Sequence, residues 1–406
     1  MLTLHKLKAL KMNIRNITPR IHYVGVNDRT TSKFENLWPL PFGVSYNSYL
    51  VAGSEKVALI DAVEVAFLPA LIEKVKSFGA PAIDYLVVNH MEPDHSGAIP
   101  EILSIFPDLK IIGNKITKGM LQGFYSVPDS RILEIADGQE ISLGGLTLRF
   151  ITTPLVHWPE TMMTYVPEEE VIFTGDAFGC FGALNGGVVD SEMDTDFYIP
   201  EMYRYYSNIV GKYGKPVQMA LKKTADLKVK YICTTHGPVW CDRKKEVVDI
   251  YRRLSRYEGE EGVTIVYGSM YGNTAALAEV IASRLSERGV KTIRIHNVSK
   301  SPMSFVISDA FRYKGLIIGA PTYSGHIFPP IGEFLTAMEV REVKNKVMAA
   351  FGSFTWASAA CKYMQECMVR MNADPVSTLD MKQAPSVNDV ESARALADKV
   401  ADALQA

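Results

Sequence analysis

The strongest chemistry in the chain is concentrated in six residues, His90-Met-Glu92-Pro-Asp94-His95. Two imidazoles and two carboxylates so close together can face one point only if the backbone turns sharply, and Pro93 favours a non-helical course there. Three later candidates occupy the same kind of place, just beyond an apolar stretch. His157 lies in Pro154-Leu-Val-His-Trp-Pro159, Asp176 follows Val171-Ile-Phe-Thr-Gly175, and His236 follows Tyr231-Ile-Cys-Thr-Thr235. A lone His or Asp after a strand usually serves a turn or a cap, and that would suffice for His157 or His236 alone. Four such segments together point to metal binding. The seven candidates supply four imidazoles and three carboxylates and no thiolate. Hard, anionic oxygen ligands suit iron in both its ferrous and ferric states, whereas zinc offers no redox change. His5, His22 and His296 have no such company and default to surface or packing roles.

A second constellation begins at Val263-Thr-Ile-Val-Tyr267, which runs through Gly268-Ser269-Met270-Tyr271-Gly272-Asn273-Thr274 into a helical pattern. The hydroxyls of Ser269 and Thr274, with exposed backbone N–H groups at a helix N-terminus, can wrap a phosphate. The spacing is not GxGxxG, and the loop lacks the Lys of a GxxxxGK[ST] nucleotide loop. Taken alone it reads equally well as a turn and cap. Two further loops tip the balance, Ala320-Pro321-Thr322-Tyr323-Ser324-Gly325-His326 and Gly352-Ser353-Phe354-Thr355-Trp356, each leaving the end of an apolar strand.

Both constellations need strands to carry them to a common rim. Val57–Ile60, Ile83–Asn89, Leu146–Ile151, Val171–Thr174 and Val229–Cys233 are short, β-branched and aromatic, and read as strands. Helical spacing runs from Phe67 to Lys76 and from Val247 to Leu254. The charged, glycine-punctuated stretch Arg256–Gly262 is the expected boundary, dividing 1–256 from 257–406. Beyond it come strand Val263–Tyr267, helix Ala275–Arg288, strands Thr292–Ile295, Gly315–Gly319 and Lys346–Phe351, and a helix from Val390 to Leu404. Strands separated by helices imply a doubly wound parallel sheet.

Composition closes off several functions. Of 406 residues 47% are apolar and 22% charged, which suits a globular chain of two or three domains. A net charge of −2 with no Lys/Arg-rich run leaves no electrostatic footprint for nucleic acid or an anionic membrane. No apolar stretch approaches the roughly 20 residues that cross a bilayer. Met1–Met12 lacks a continuous apolar core and a cleavage site, and is expected to be an extended start rather than a secretory signal. Five cysteines, Cys180, Cys233, Cys241, Cys361 and Cys367, include no CxxC pair, which argues against a disulfide framework or a rubredoxin-type site and for a reducing cytoplasm.

The His-x-Glu-x-Asp-His arrangement with later His, Asp and His resembles the metallo-β-lactamase fold, except that its zinc-binding hydrolytic members carry His where this chain has Glu92. Together with His157-Trp-Pro-Glu-Thr-Met162 and the C-terminal module, almost the whole chain resembles a flavodiiron protein. The resemblance implies an α/β chain, a metallo-β-lactamase-like αββα sandwich followed by a flavodoxin-like doubly wound sheet. It implies two irons per chain, His90, Glu92 and His157 on one, Asp94, His95 and His236 on the other, and Asp176 bridging them, the metals roughly 3.5–4 Å apart. In some relatives the equivalent of His95 is displaced from the metal. Loops of this kind bracket the isoalloxazine ring in flavodoxin, so Ser269–Thr274, Pro321–Gly325 and Gly352–Trp356 are the expected FMN contacts, with Phe354 or Trp356 stacking on the ring. FMN is expected over FAD because no adenosine-binding segment is apparent.

The same resemblance implies an oxidoreductase that reduces O2 to water or NO to N2O. Reduced FMN and a di-ferrous pair carry two electrons each, which matches the four that O2 needs, while two NO need two. A separate rubredoxin or the reduced deazaflavin F420 is the expected donor, since no rubredoxin-like or NAD-binding segment follows the flavodoxin module. A head-to-tail homodimer, or a dimer of dimers, would set one chain's flavin beside its partner's irons. The alternatives are a di-zinc hydrolase with a regulatory flavin domain and, more weakly, an electron carrier with a structural metal.

Overall fold

The computed structural model describes residues 14–79, 83–373 and 375–405; the opening segment Met1–Met12, with His5, lies outside them. By contact the chain forms two compact units, Met1–Tyr205 with Lys215–Tyr251, and Tyr206–Gly214 with Arg252–Ala406.

The first unit is built on two sheets. Seven strands run in the order Arg15–Thr18, Ile21–Tyr23, Tyr49–Ala52, Val57–Ile60, Tyr85–Val87, Lys110–Gly113 and Ile132–Glu134. Five more run Glu140–Ser142, Thr147–Thr152, Met162–Val166, Val171–Phe173 and Tyr231–Cys233. With their helices they make the expected metallo-β-lactamase-like αββα sandwich. The neighbouring strands Val57–Ile60, Tyr85–Val87 and Lys110–Gly113 pair in parallel and are almost wholly buried, which is why they are continuous apolar runs rather than alternating ones. Helix Leu68–Phe78 turns Leu68, Leu71, Ile72 and Val75 inward, at the spacing of one helical face, and stops at Gly79 with φ +81°. The periodic stretch from Val247 to Leu254 lies within helix Lys244–Ser255, and the turn leading into it is held by Asp190, whose carboxylate accepts from the backbone N–H groups of Cys241, Asp242 and Arg243.

The second unit holds five parallel strands in the order Ile293–Asn297, Glu260–Tyr267, Tyr313–Tyr323, Val347–Phe354 and Ser377–Lys382. In chain order this is 2-1-3-4-5, the flavodoxin-like winding with its switch point between the first and third strands. Leu277, Ile281 and Leu285 of helix Asn273–Glu287 and Leu396, Val400 and Leu404 of helix Val387–Gln405 cover a single apolar core with Ile265, Ile317 and Phe351. Residues Tyr206–Gly214 join this unit because Asn208 Nδ2 donates to Ser304 O, Arg341 Nε to Ser207 O and Tyr257 Oη to Gly211 O.

Two strands run on into the expected loops. Tyr313–Tyr323 and Val347–Phe354 keep their ladder through Ala320↔Gly352 and Pro321↔Ser353. Thr322 and Tyr323 then pair back with Ile327 and His326 across Ser324-Gly325, whose φ values of +50° and +72° suit a two-residue hairpin turn. Pro321, Thr322, Tyr323, Gly352, Ser353 and Phe354 therefore sit on strand ends, not in free loops. Among the described residues no helix is long and apolar enough to cross a membrane.

Candidate functional site

The first site begins where strand Tyr85–Val87 ends. Asn89 is clamped there: its N donates to Asp61 Oδ1 at 2.7 Å, its Nδ2 to Asp61 Oδ2 at 2.9 Å, and its Oδ1 accepts from Thr164 at 2.7 Å. His90 follows with its ring fixed. Its Nδ1 donates to Glu160 Oε1 at 2.8 Å, and the same oxygen accepts from Met91 N at 2.8 Å. Pro93 opens a single helical turn, Pro93–Ser96, where a non-helical course was expected. Proline is at home in that first position, because its missing N–H would have no helical partner. The turn carries Asp94 and His95, and Glu92 precedes it.

The other candidates arrive from the second sheet. His157 stands on the connection between strands Thr147–Thr152 and Met162–Val166. Asp176 follows strand Val171–Phe173, and His236 follows Tyr231–Cys233. His236 Nδ1 donates to Ser45 O at 2.8 Å. Gly237 beside it must be glycine: φ is +77°, and a Cβ would lie 2.2 Å from Cys180 Sγ.

All seven side chains converge, in two adjoining groups. Donor atoms of His90, Glu92, His157 and Asp176 lie within 4.8 Å of one another, and so do those of Asp94, His95 and His236. Asp176 faces both. Its Oδ2 is 3.0 Å from His157 Nε2 and 3.5 Å from His90 Nε2, while Oδ1 is 3.2 Å from His95 Nε2 and 3.6 Å from His236 Nε2. Glu92 Oε2 lies 3.2 Å from His157 Nε2, and Asp94 Oδ2 lies 3.3 Å from both His95 and His236 Nε2. His95 thus points into the second group.

The donor set fits a pair of cations. With Nδ1 of His90 and His236 each donating outward, the Nε2 of each is a bare lone pair. His90 Nε2 nevertheless faces carboxylate oxygens at 3.3 and 3.5 Å, and His236 Nε2 faces His95 Nε2 at 3.1 Å. Lone pairs set against lone pairs repel unless a proton or a cation stands between them. Among the described residues both oxygens of Asp94 are buried without a hydrogen bond, the mark of a group meant for another partner. With no cation, protons must do this work. Burial opposes charge on His90, yet Asp176, Glu160 and Glu92 outweigh it and hold its pKa well above the ordinary value. Against the same burial His95 is pushed up to about 9 by Asp94 and Asp176, and His157 to about 9 by Asp176 and Glu92. Burial likewise works against the carboxylates of Asp176 and Glu92, but the imidazoles hold both below the usual range. A bound metal would displace those protons.

Glu160 is the residue that sequence reasoning missed. It stands inside the His157–Met162 segment, but nothing in its spacing says that it reaches back to His90. It is fully buried and fixes that ring. Glu160→Gln is expected to weaken iron binding roughly 10–100-fold, the usual cost of losing a ligand's outer partner. Competition with a chelator would measure it, and FMN content should not change. Also missed are Thr235, whose hydroxyl donates to Asp176 Oδ1 at 2.6 Å, and Tyr205, whose ring lies 5.6 Å from that of His236. Phe34 and Tyr46 pack around the same imidazole, and Trp158 stands edge-on to His90.

In the second unit the expected residues gather at the carboxyl ends of the strands on either side of the switch point. Ser269 Oγ accepts from Gly272 N at 3.1 Å and Ala275 N at 3.4 Å, which folds the Ser269–Thr274 loop around the start of helix Asn273–Glu287. The first N–H groups of that helix have no intrahelical partner and face this loop. Gly272, at φ +98°, faces open space where a Cβ would stand, with no atom of the other described residues beyond its chain neighbours within 4 Å. Such an open nest of N–H groups fits a phosphate. Thr274 Oγ1 lies 2.9 Å from Ser353 Oγ, tying this loop to the third. Met270, Tyr271, Tyr323 and Trp356 are all exposed, Tyr271 by 91% and Trp356 by 85%, leaving flat apolar surfaces around the rim. Ser324 and Gly325 form the hairpin turn, and in the third segment Phe354 ends the strand and Thr355 follows it.

Residues 44–237 match the family described as ODP family beta lactamase, and residues 265–397 match flavodoxin. The chain is 30% identical over 393 residues to a nitric oxide reductase of Moorella thermoacetica, spanning 95% of this chain and 97% of that one. The solved rubredoxin oxygen:oxidoreductase of Desulfovibrio gigas is similar with a TM-score of 0.92 at 28% identity, covering 97% and 99%. The flavodiiron protein of Giardia intestinalis gives 0.91 at 25%, covering 97% and 98%. The fold and the sites therefore define a two-domain class in which a β-lactamase-like metal domain is followed by a flavodoxin-like one. Within that class, the chain belongs to the flavodiiron protein family.

Proposed function

We propose that the chain is an oxidoreductase that reduces O2 to water, NO to N2O, or both, at a di-iron site supplied with electrons by FMN. The observation that carries this is Asp176, with one carboxylate oxygen turned to each of two His/carboxylate groups. His90, Glu92 and His157 would hold one iron, Asp94, His95 and His236 the other, and Asp176 both. When bound, the irons supply a reducible centre for a diatomic gas, and FMN supplies electrons to it.

The protein's own part is to exclude water, orient ligands and handle protons. Phe34, Tyr46 and Trp158 wall the ligand imidazoles with apolar surface. Glu160 and Ser45 O fix the tautomers of His90 and His236. Among the described residues Tyr205 Oη is buried with no hydrogen-bond partner, and burial with Asp176 and Glu92 nearby keeps it protonated, so it can donate a hydrogen bond at the site. Glu35, held by Trp38 Nε1 at 3.0 Å, is pushed up to about 7 in the metal-free chain by burial of its carboxyl and by Glu92 beside it.

The relatives support both substrates, one being a nitric oxide reductase and another a rubredoxin oxygen:oxidoreductase. Rubredoxin is accordingly the first donor to try, and reduced deazaflavin the second. The working form is a cytoplasmic head-to-tail homodimer or a dimer of dimers. Metal and flavin analysis with anaerobic turnover tests the reading. Near two irons and one FMN per chain, with consumption of NO or O2, is the expected result. Zinc in place of iron, with no redox turnover, would instead make the chain a hydrolase.

A further inference from the structure

Helix Ala360–Arg370 begins after Ala359, and an alanine has no side-chain oxygen with which to cap a helix. The cap comes from a neighbouring strand. Thr322 Oγ1 accepts from Ala359 N at 3.1 Å and from Ala360 N at 3.2 Å. Thr322 stands where the second rim segment leaves the sheet, paired with Ile327 at the base of its hairpin. Ala359 closes the loop that continues the third segment, in which Thr355, Trp356, Ala357 and Ser358 are all exposed. Side chains so exposed cannot hold a loop by burial, so its course is set by its base. Ser358 Oγ also donates there, to Asp380 Oδ2 on the adjoining strand. Asp380 and Cys361 in turn occupy the space beside Gly352, where a Cβ would meet them at 2.9 and 3.1 Å.

We propose that Thr322 is a positioning residue for FMN, its hydroxyl latching the second rim segment to the start of the third so that the cradle is set before the flavin arrives. This role rests on FMN binding at the rim, as proposed for the second unit. It changes what is expected of Thr322, because both acceptor positions of its hydroxyl oxygen face the helix N–H groups. Without the latch, binding must itself order the Trp356 segment, and affinity falls by that cost.

The test uses the full chain, freed of FMN with its metal retained, and titrates FMN by quenching of flavin fluorescence. Thr322→Val keeps the shape and removes the acceptor. Its FMN dissociation constant should rise about two- to thirtyfold, the range corresponding to loss of a side-chain helix cap. Hydrogen exchange across 355–361 should quicken in the FMN-free variant, and Thr322→Ser should restore both readouts. If the valine variant does not fold, Thr322→Ala replaces it with the same expectation. Unchanged affinity without the hydroxyl, or a serine variant as weak as valine, overturns the latch. A wild-type chain that takes up no FMN overturns the flavin reading as well.

Discussion

Asp176→Ala should abolish gas reduction and strip the chain of iron while leaving FMN bound. Every other ligand of the candidate site serves one group, whereas Asp176 serves two, through oxygens that lie 3.0 Å from His157 Nε2 and 3.2 Å from His95 Nε2. Losing an outer partner such as Glu160 costs roughly 10–100-fold in metal affinity, and losing a shared direct ligand should exceed that at both positions. The substitution also removes the main counter-charge of His90 and His157 and one of the two that face His95. In the metal-free protein they will shed protons rather than stay charged without a partner. The variant is therefore expected to fold near neutral pH, with its histidine pKa values brought down. Iron content, NO and O2 consumption, FMN content and far-UV circular dichroism together separate loss of metal from loss of fold. Two retained irons and normal turnover would mean that Asp176 does not join the groups.

The same carboxylates and imidazoles fix how the metal-free chain responds to pH. A histidine whose folded pKa is raised takes up protons on folding. For His95 and His157 that stabilisation is complete below about pH 6.5 and is lost as the pH rises through about 9. Glu92 and Asp176, held below the ordinary carboxylate range, stabilise above it and lose that contribution in acid. Bound metal would take the place of the protons and remove the alkaline loss.

The seven side chains of the candidate metal site could be picked out in the sequence because they follow strands, most of which are buried enough to leave a clear hydrophobic run with the polar residues after it. What holds them could not. Asn89–Asp61, His90–Glu160 and His236–Ser45 join residues 28, 70 and 191 positions apart, and no local pattern encodes such a pairing. The one-turn helix at Pro93 was hidden for a different reason: proline excludes a helix interior but not a helix start. In the second unit the buried strands stood out, but Ser377–Lys382 did not, being a polar edge strand with most of its residues partly or fully exposed. The ends of Tyr313–Tyr323 and Val347–Phe354 were read as loops because Pro321, Gly325 and Gly352 are turn formers in isolation. There the ladder with neighbouring strands outweighs local propensity.

Ser269→Asp should do to the flavin what Asp176→Ala does to the metal. Ser269 Oγ already accepts from Gly272 N and Ala275 N at the start of helix Asn273–Glu287. An aspartate can accept from the same groups, and its charge suits a helix N-terminus, so the loop should keep its shape. That charge would occupy the nest that suits a phosphate. Two unit charges about 4 Å apart repel by about 1 kcal/mol in bulk water and about 4 kcal/mol at the effective dielectric of a protein surface. A phosphate monoester carries nearly two charges at neutral pH, so FMN affinity should fall by roughly a hundredfold or more. The loss should be smaller for riboflavin, which has the same ring and no phosphate, and a comparison of the two flavins isolates the electrostatic cause. Iron content should be unchanged, because all seven candidate ligands lie in the first unit. Equal weakening of FMN and riboflavin would point to a distorted loop, and undiminished FMN binding would place the phosphate elsewhere.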